Sequence, residues 1–174
     1  MKKGMILYKS KYGAAKKYAL WLKDMTDFPC AEISNAALNE AAQCDTIVFC
    51  GGIYASGIAG LSFLKKNIEK LKNKKIAVFC VGASPFNEKA FEEIKKHNLK
   101  NGLDHIPLFY GRGAWNEDNM TFKDRMLCSL LQKAVAKKSP DSYEPWEEAL
   151  MSAVGQTCDW TEQKYLLPLL DYLR

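Results

Sequence analysis

The sequence has few of the residues that hold metals or covalent cross-links. Its 174 residues include only two histidines, His97 and His105, and none of its six cysteines forms a C-x-x-C pair. A zinc or iron–sulfur site would therefore have few ligands, and we expect no metal. Cys50 and Cys80 lie inside apolar runs, which indicates buried, reduced thiols and a cytoplasmic location.

Long apolar stretches and nucleotide motifs are also missing. The apolar run 5–8 is too short for a secretory signal, and no stretch approaches membrane-spanning length. The sequence has no G-x-x-x-x-G-K-[ST], which argues against NTP hydrolysis, and no G-x-G-x-x-G, which argues against a dinucleotide fold. Its lysines are dispersed and belong to no recognised nucleic-acid motif, so we expect no nucleic-acid binding.

The composition is that of a globular protein with a basic surface. Hydrophobic residues make up 48% and charged residues 26%, and the net charge is +5. A chain of this length has ample core for one domain. The positive charge favours anionic partners such as a membrane surface, a nucleotide or a carboxylate-bearing substrate. Alternatively, and for most of the lysines, the side chains only solvate helix ends.

Apolar strand patterns alternate with helical patterns along the chain. Strands are predicted at 5–8, 28–33, 46–50, 76–81 and 106–110, and helical spacing occurs within 15–25, 61–71, 90–94 and 122–134. Pro29 assigns the second strand to an edge or limits pairing to its second half. The alternation predicts an α/β fold with a doubly wound, five-stranded parallel sheet between two helical layers.

A short polar turn joins the first strand to the first helix. It consists of Ser10, Lys11, Tyr12, Gly13, Ala14 and Ala15. A serine hydroxyl, a permissive glycine and the first amides of a helix are typical of a phosphate site. The alternative is a tight connection without a ligand, which any parallel strand followed by a crossover helix requires.

Two further loops follow the third and fourth predicted strands. They contain Gly52, Ile53, Tyr54, Ala55 and Ser56, and Gly82, Ala83, Ser84, Pro85 and Phe86. Ligands of doubly wound sheets bind outside the carboxyl ends of the strands. Small residues with an aromatic in reach fit a flat heteroaromatic ring, although Tyr54 could equally be an exposed loop aromatic.

These motifs resemble those of the flavodoxin-like family, and more specifically the flavodoxin-domain branch that includes the menaquinone-dependent protoporphyrinogen oxidases. The turn 10–15 corresponds to a phosphate loop of the form S/T-x-T-G-x-T. Residues 109–112 and 122–126 resemble the F-x-G-x and W-x-D-R-x-M of the oxidase branch, and the similarity covers about residues 5–135. The resemblance implies a sheet of order 2-1-3-4-5 and FMN held by the three loops.

The resemblance also implies an FMN-dependent oxidoreductase or electron-transfer protein. Its partners would be a redox protein, a quinone or another small molecule, with peripheral membrane contact and a monomeric or dimeric state left open. Main-chain groups of 52–57 would contact the flavin, Tyr54 or Phe86 would shield it, and a glycine there would permit a peptide flip. Arg112 and Trp115 are candidate substrate contacts. We expect residues 1–138 to form the FMN-binding domain and 139–174 a helical extension packed on it.

Two departures from the family pattern weaken the phosphate site. Tyr12 and Ala15 stand where the family has threonines. Each missing hydrogen bond corresponds to about 1 kcal/mol, so we expect weaker FMN retention, partly offset if Lys11 or Lys16 supplies charge. The alternative function is a flavodoxin-fold binding or scaffolding module that has lost flavin.

Overall fold

The computed structural model describes residues 2–174 and contains a central parallel sheet between two helical layers. Its strands are β1 (Lys2–Lys9), β2 (Cys30–Glu32), β3 (Cys44–Tyr54), β5 (Lys75–Gly82) and β6 (Leu108–Arg112), with β4 (Gly57–Ile58) paired antiparallel to the end of β3. The parallel strands lie in the order β2-β1-β3-β5-β6. The predicted fold class and strand order are confirmed.

Seven α-helices connect and cover these strands. They are α1 (Ala14–Thr26), α2 (Asn35–Ala41), α3 (Leu61–Lys66), α4 (Glu88–Asn98), α5 (Phe122–Val135), α6 (Pro145–Ser152) and α7 (Leu167–Leu173). Helix α2 was not predicted because its seven residues are too few for a clear period; the Ser34 hydroxyl caps it by accepting from Ala37 N at 3.1 Å. Strand β6 begins two residues later than predicted, and Ile106 is buried beside it.

Both faces of the sheet are buried, because the central strands are apolar at every position. Met5, Ile47 and Phe49 belong to one core cluster, with α2 and α3 packed over it. Ile6, Val48 and Phe79 belong to the cluster on the other face, together with residues of α1.

The end of the chain also packs on the second face of the sheet. Leu166 and Leu169 are fully buried in the same cluster as Tyr18 and Leu22 of α1. The short 3₁₀ turn 163–166 and α7 therefore take a place beside α1 on the sheet. The domain boundary at residue 138 stays a prediction.

Between β6 and this turn the chain makes an excursion, residues 113–162, which holds α5 and α6. Its base is an antiparallel pair of three-residue strands, β7 (Ala114–Asn116) and β8 (Thr157–Asp159). The Tyr18 hydroxyl donates to Arg112 O at 2.6 Å and accepts from Glu162 N at 3.1 Å, so one side chain joins both ends of the excursion. Neither β7 nor β8 was predicted, since each is too short to show alternation.

Membrane-spanning length was not expected from the sequence. Among residues 2–174, no helix combines the length and the apolar character needed to cross a bilayer.

Candidate functional site

The turn between β1 and α1 has an ordered, open geometry. The Ser10 hydroxyl accepts a hydrogen bond from Gly13 N at 3.0 Å. Gly13 has φ 100°, a left-handed conformation that favours glycine, and a Cβ built there would meet no atom within 4 Å. The turn therefore needs glycine for its backbone and leaves space above it.

The N-terminus of α1 is uncapped. In the described chain no side chain caps this helix, its first turn has no acidic residue, and its first helical bond runs from Lys17 N to Gly13 O at 2.9 Å. The amides of residues 14–16 have no hydrogen-bond acceptor among the described residues. Together with the helix dipole they form a site of partial positive charge that suits an anion.

The second predicted loop is a tight β-hairpin. Strand β3 continues to Tyr54, where it pairs with Gly57, and the turn residues Ala55 and Ser56 have φ 47° and 67°. Gly52 lies in β3 and Gly57 in β4. The left-handed positions of this hairpin thus belong to residues other than glycine, in a turn type that usually selects glycine or asparagine. The predicted peptide flip at a glycine of this segment stays a prediction.

Asn98, at the end of α4, fixes this hairpin. Its side-chain oxygen accepts from Ile58 N at 2.9 Å, and its amide donates to Ser56 O at 2.8 Å. Asn98 lies 40 residues or more from both partners. Sequence reasoning missed it because a single polar residue in a helix gives no local signal of such a contact.

The third loop is tied to β6 through its carbonyl groups. Gly113 N donates to Gly82 O at 2.7 Å, Arg112 Nε donates to Ala83 O at 3.0 Å, and the Tyr110 hydroxyl donates to Ser84 O. Burial raises the pKa of Tyr110, which keeps this hydroxyl a donor.

An aromatic surface follows this loop. The Phe86 side chain is 55% exposed, with its ring 5.4 Å from Phe91 and 5.9 Å from Tyr110. Such an exposed ring face at the carboxyl edge of the sheet can stack on a flat ligand.

The structure brings the three loops together. Lys11 N donates to the Tyr54 hydroxyl at 3.1 Å, and the rings of Tyr12 and Tyr54 meet edge to face with centroids 6.0 Å apart. On the other side, Ile53 Cδ1 lies 3.3 Å from the Cβ position built at Gly82. The first and second loops thus touch, as do the second and third.

Asp124, in the first turn of α5, also reaches this site and was not among the predicted site residues. Lys11 Nζ and the Tyr12 hydroxyl both donate to Asp124 Oδ2. The hydrogen bond from Lys11 is the main cause that lowers the pKa of Asp124, and the same contact raises the pKa of Lys11. The charge of Lys11 is therefore shared with an internal carboxylate, and a bound anion would compete with Asp124 for it. Sequence analysis recorded Asp124 only as part of a motif.

The two predicted substrate contacts have structural neighbours. The Arg112 guanidinium lies over the Trp160 ring, 4.0 Å from its centroid. Trp115, in β7, donates from Nε1 to Glu117 Oε1 at 3.3 Å. Substrate contact by either residue stays a prediction. The doublet 104–105 lies in a turn, where Asp104 accepts from Gly102 N at 3.2 Å.

Reactive side chains are not gathered at this edge. In the part of the chain that the structure describes, no group of three or more His, Cys, Asp or Glu side chains could hold a metal ion. Burial raises the pKa of Cys80 to about 12 and also raises that of Cys50, so neither thiol is a nucleophile at neutral pH. The arrangement can bind and orient a ligand, with no acid–base pair of its own to transform it.

Comparison with known proteins gives one family and several similar structures. A family model described as "Flavodoxin domain" matches residues 5–142. No curated protein sequence matches the chain. A WrbA-like flavodoxin from Agrobacterium tumefaciens has 17% identity and a TM-score of 0.51, covering 72% of this chain and 88% of its own.

Two other solved structures are more distantly similar. The Trp repressor binding protein from Bacillus subtilis has 16% identity and a TM-score of 0.46, covering 64% of this chain and 85% of its own. RosB with a bound 8-demethyl-8-formylriboflavin-5'-phosphate intermediate has 10% identity and a TM-score of 0.42, covering 99% of this chain and 81% of its own. At these identities the similarity concerns the fold.

Proposed function

The chain belongs to the flavodoxin domain family, and from this premise we propose that it is a cytoplasmic FMN-binding oxidoreductase or electron-transfer protein. The observation that carries the proposal is the uncapped N-terminus of α1, which lies beside the converging loops at the carboxyl edge of the sheet. A phosphate and a flat aromatic ring are the two chemical groups that this edge suits best.

The residues present fit FMN. The open backbone at Gly13 and the amides of residues 14–16 would hold the phosphate, with Lys11 as the nearby cation. The hairpin 52–57 and the loop 82–86 would hold the ring, with Tyr54 and Phe86 as its aromatic neighbours. FMN supplies the electron-transfer chemistry when bound, and the protein supplies binding, orientation and hydrogen bonds.

The absence of an acid–base pair at this edge, within the described residues, agrees with that division of roles. Asn98 holds the hairpin main chain, and β6 holds the carbonyls of the third loop. The flavin edge would therefore meet a main chain that is already in place. A redox protein, a quinone or another small molecule would exchange electrons with the flavin.

Within this function, the oxidase branch is the narrower proposal. It rests on residues 109–112 and 122–126, which resemble the motifs of the quinone-dependent protoporphyrinogen oxidases. Flavin-loaded protein should then oxidise protoporphyrinogen with menadione as acceptor. No turnover would remove this branch and leave the FMN proposal standing.

One observation favours a second candidate, a flavodoxin-fold binding module without flavin. Tyr12 directs its hydroxyl to Asp124, and Ala15 has no hydroxyl, so both threonine contacts of the family's phosphate loop are missing. Asp124 also places a carboxylate beside the turn that would receive an anion.

Titration with two flavins tests the proposal. FMN added to the purified protein should show saturable fluorescence quenching, and riboflavin, which lacks the phosphate, should bind at least about tenfold more weakly, since charged hydrogen bonds are worth about 1.5–3 kcal/mol. A visible spectrum with flavin bands in the protein as purified would agree. No quenching at millimolar FMN would favour the binding module, and equal affinity for both flavins would contradict the assigned phosphate site.

A further inference from the structure

Helix α5 turns its large apolar side chains towards solvent. Five of them are exposed, from 40% for Leu131 to 82% for Phe122, and the others are Met126, Leu127 and Leu130. Phe122, Met126 and Leu130 are spaced by four residues, so they form one stripe along the helix. We call these five residues the α5 apolar face.

The inward side of the same helix is largely polar. Asp124 is bound to Lys11, and Gln132 Nε2 donates to Glu117 Oε1 at 2.7 Å. Among the described residues, Val135 is the one fully buried position of α5. A helix of a globular protein ordinarily buries its apolar stripe.

The place on the sheet that α5 could cover is already occupied. Leu166 and Leu169, from the end of the chain, are fully buried against that face. The α5 apolar face is therefore not simply a core surface that failed to close, and a partner outside the fold must be considered.

The charge around this face is positive. Residues 121–138 contain five basic residues, Lys123, Arg125, Lys133, Lys137 and Lys138, and one acidic residue, Asp124. At 3.6 residues per turn, Lys123 and Lys133 fall within the arc of the apolar stripe. These two lysines and Lys137 have no ion-pair partner among the described residues, whereas Asp124 is paired on the inward side.

From this combination we propose that the α5 apolar face binds the surface of an anionic lipid bilayer, with the helix lying in the plane of the interface. Apolar side chains enter the acyl boundary in this arrangement, while lysines extend their ammonium groups to the lipid phosphates. Phe122, the most exposed of the five, is the main apolar anchor.

The other occupants fit the charges less well. A second copy in a twofold dimer would oppose this face to itself, which places lysines against lysines with no exposed carboxylate from residues 121–138 to compensate. The cores of protein–protein interfaces are also depleted in lysine. The proposal does not depend on flavin binding.

Sedimentation of the full chain with lipid vesicles tests the proposal. The protein should pellet with vesicles of phosphatidylcholine and phosphatidylglycerol at 7:3 and stay in the supernatant with phosphatidylcholine alone. The double variant Phe122→Ser and Leu130→Ser should lose at least tenfold in the bound-to-free ratio. Leu20→Ser, an exposed leucine of α1, is the matched control and should bind normally.

A charge reversal separates this surface from net charge. Lys123→Glu with Lys133→Glu should abolish binding, while Lys89→Glu with Lys96→Glu on α4, at the same net charge, should retain it. Equal loss in both pairs, or no pelleting of the wild type with anionic vesicles, would overturn the proposal. So would a concentration-dependent dimer in sedimentation velocity that Phe122→Ser abolishes, because the occupant would then be a second copy.

Discussion

Replacing Gly13 by alanine would test how far the phosphate turn depends on its backbone. Gly13 has φ 100°, and its Cβ position is free of neighbours within 4 Å. The added methyl group therefore meets no steric obstacle, and any effect must come from the backbone conformation. Gly102 offers a matched site, since it has φ 96° and the same open surroundings in the turn before β6.

The expected loss of stability follows from these angles. A left-handed conformation costs an L-residue about 1–2 kcal/mol, and the stiffer unfolded chain of an alanine variant returns about 0.4–1 kcal/mol. Gly13→Ala and Gly102→Ala should each lower the free energy of unfolding by about 1 kcal/mol. For a chain of this size the melting temperature should fall by about 2–4 °C.

Urea unfolding and FMN titration of the two variants together distinguish the roles of these glycines. Both should lose similar stability, but only Gly13→Ala should bind FMN more weakly, by about tenfold, because a relaxed turn moves about one charged hydrogen bond away from the phosphate. Unchanged FMN affinity in Gly13→Ala, or an equal loss of affinity in Gly102→Ala, would refute the reasoning.

Three further substitutions test other contacts. Asp124→Asn should release Lys11 and lower the dissociation constant of FMN several-fold, as measured by fluorescence quenching, because exposed ion pairs are worth only a modest factor. Tyr18→Phe should lower the free energy of unfolding in urea by about 1–3 kcal/mol, since it leaves two main-chain groups without their partner. The contact with Lys17 lowers the pKa of Asp159 to about 2, so its contribution to stability should hold above about pH 4 and be lost as the pH falls towards 2. Acid titration of Asp159→Asn, followed by circular dichroism, should show a shallower loss of stability over that range.

Each of these has a control or an opposing result. Asp141→Asn removes an exposed carboxylate outside the site and should leave FMN affinity unchanged, whereas weaker binding in Asp124→Asn would mean that this carboxylate supports the turn. Tyr143→Phe is the control for the loss of a hydroxyl, and a Tyr18→Phe variant as stable as wild type would contradict the role of Tyr18. Identical acid limbs in wild type and Asp159→Asn would remove the contact with Lys17 as a source of stability.

The central sheet could be predicted because its signals are local. The runs that became β3 and β5 are apolar at successive positions, as strands buried on both faces require, and Pro29 correctly limited the edge strand to 30–32. The hairpin after Tyr54 was missed as a hairpin, because Ala55 and Ser56 are not the residues that such a turn usually selects.

The rest depends on contacts between distant parts of the chain. Lys11 and Asp124 are 113 residues apart, and the spacing around either residue does not predict their meeting. The pattern of α5 identified a helix correctly but carried no information about the direction in which its apolar side would point. That direction depends on residues 163–173, which occupy the sheet and come later in the sequence.

The excursion 113–162 leaves the sheet and returns to it at one point, where Trp160 N donates to Gly113 O at 3.0 Å. A segment with adjoining ends imposes little on the fold that carries it, since the entropy of closing a loop grows only slowly with its length. Evolution could therefore lengthen, shorten or exchange this segment while the strands and the helix beside the phosphate turn keep their places. The outer surface of the protein can in this way diversify independently of its redox machinery.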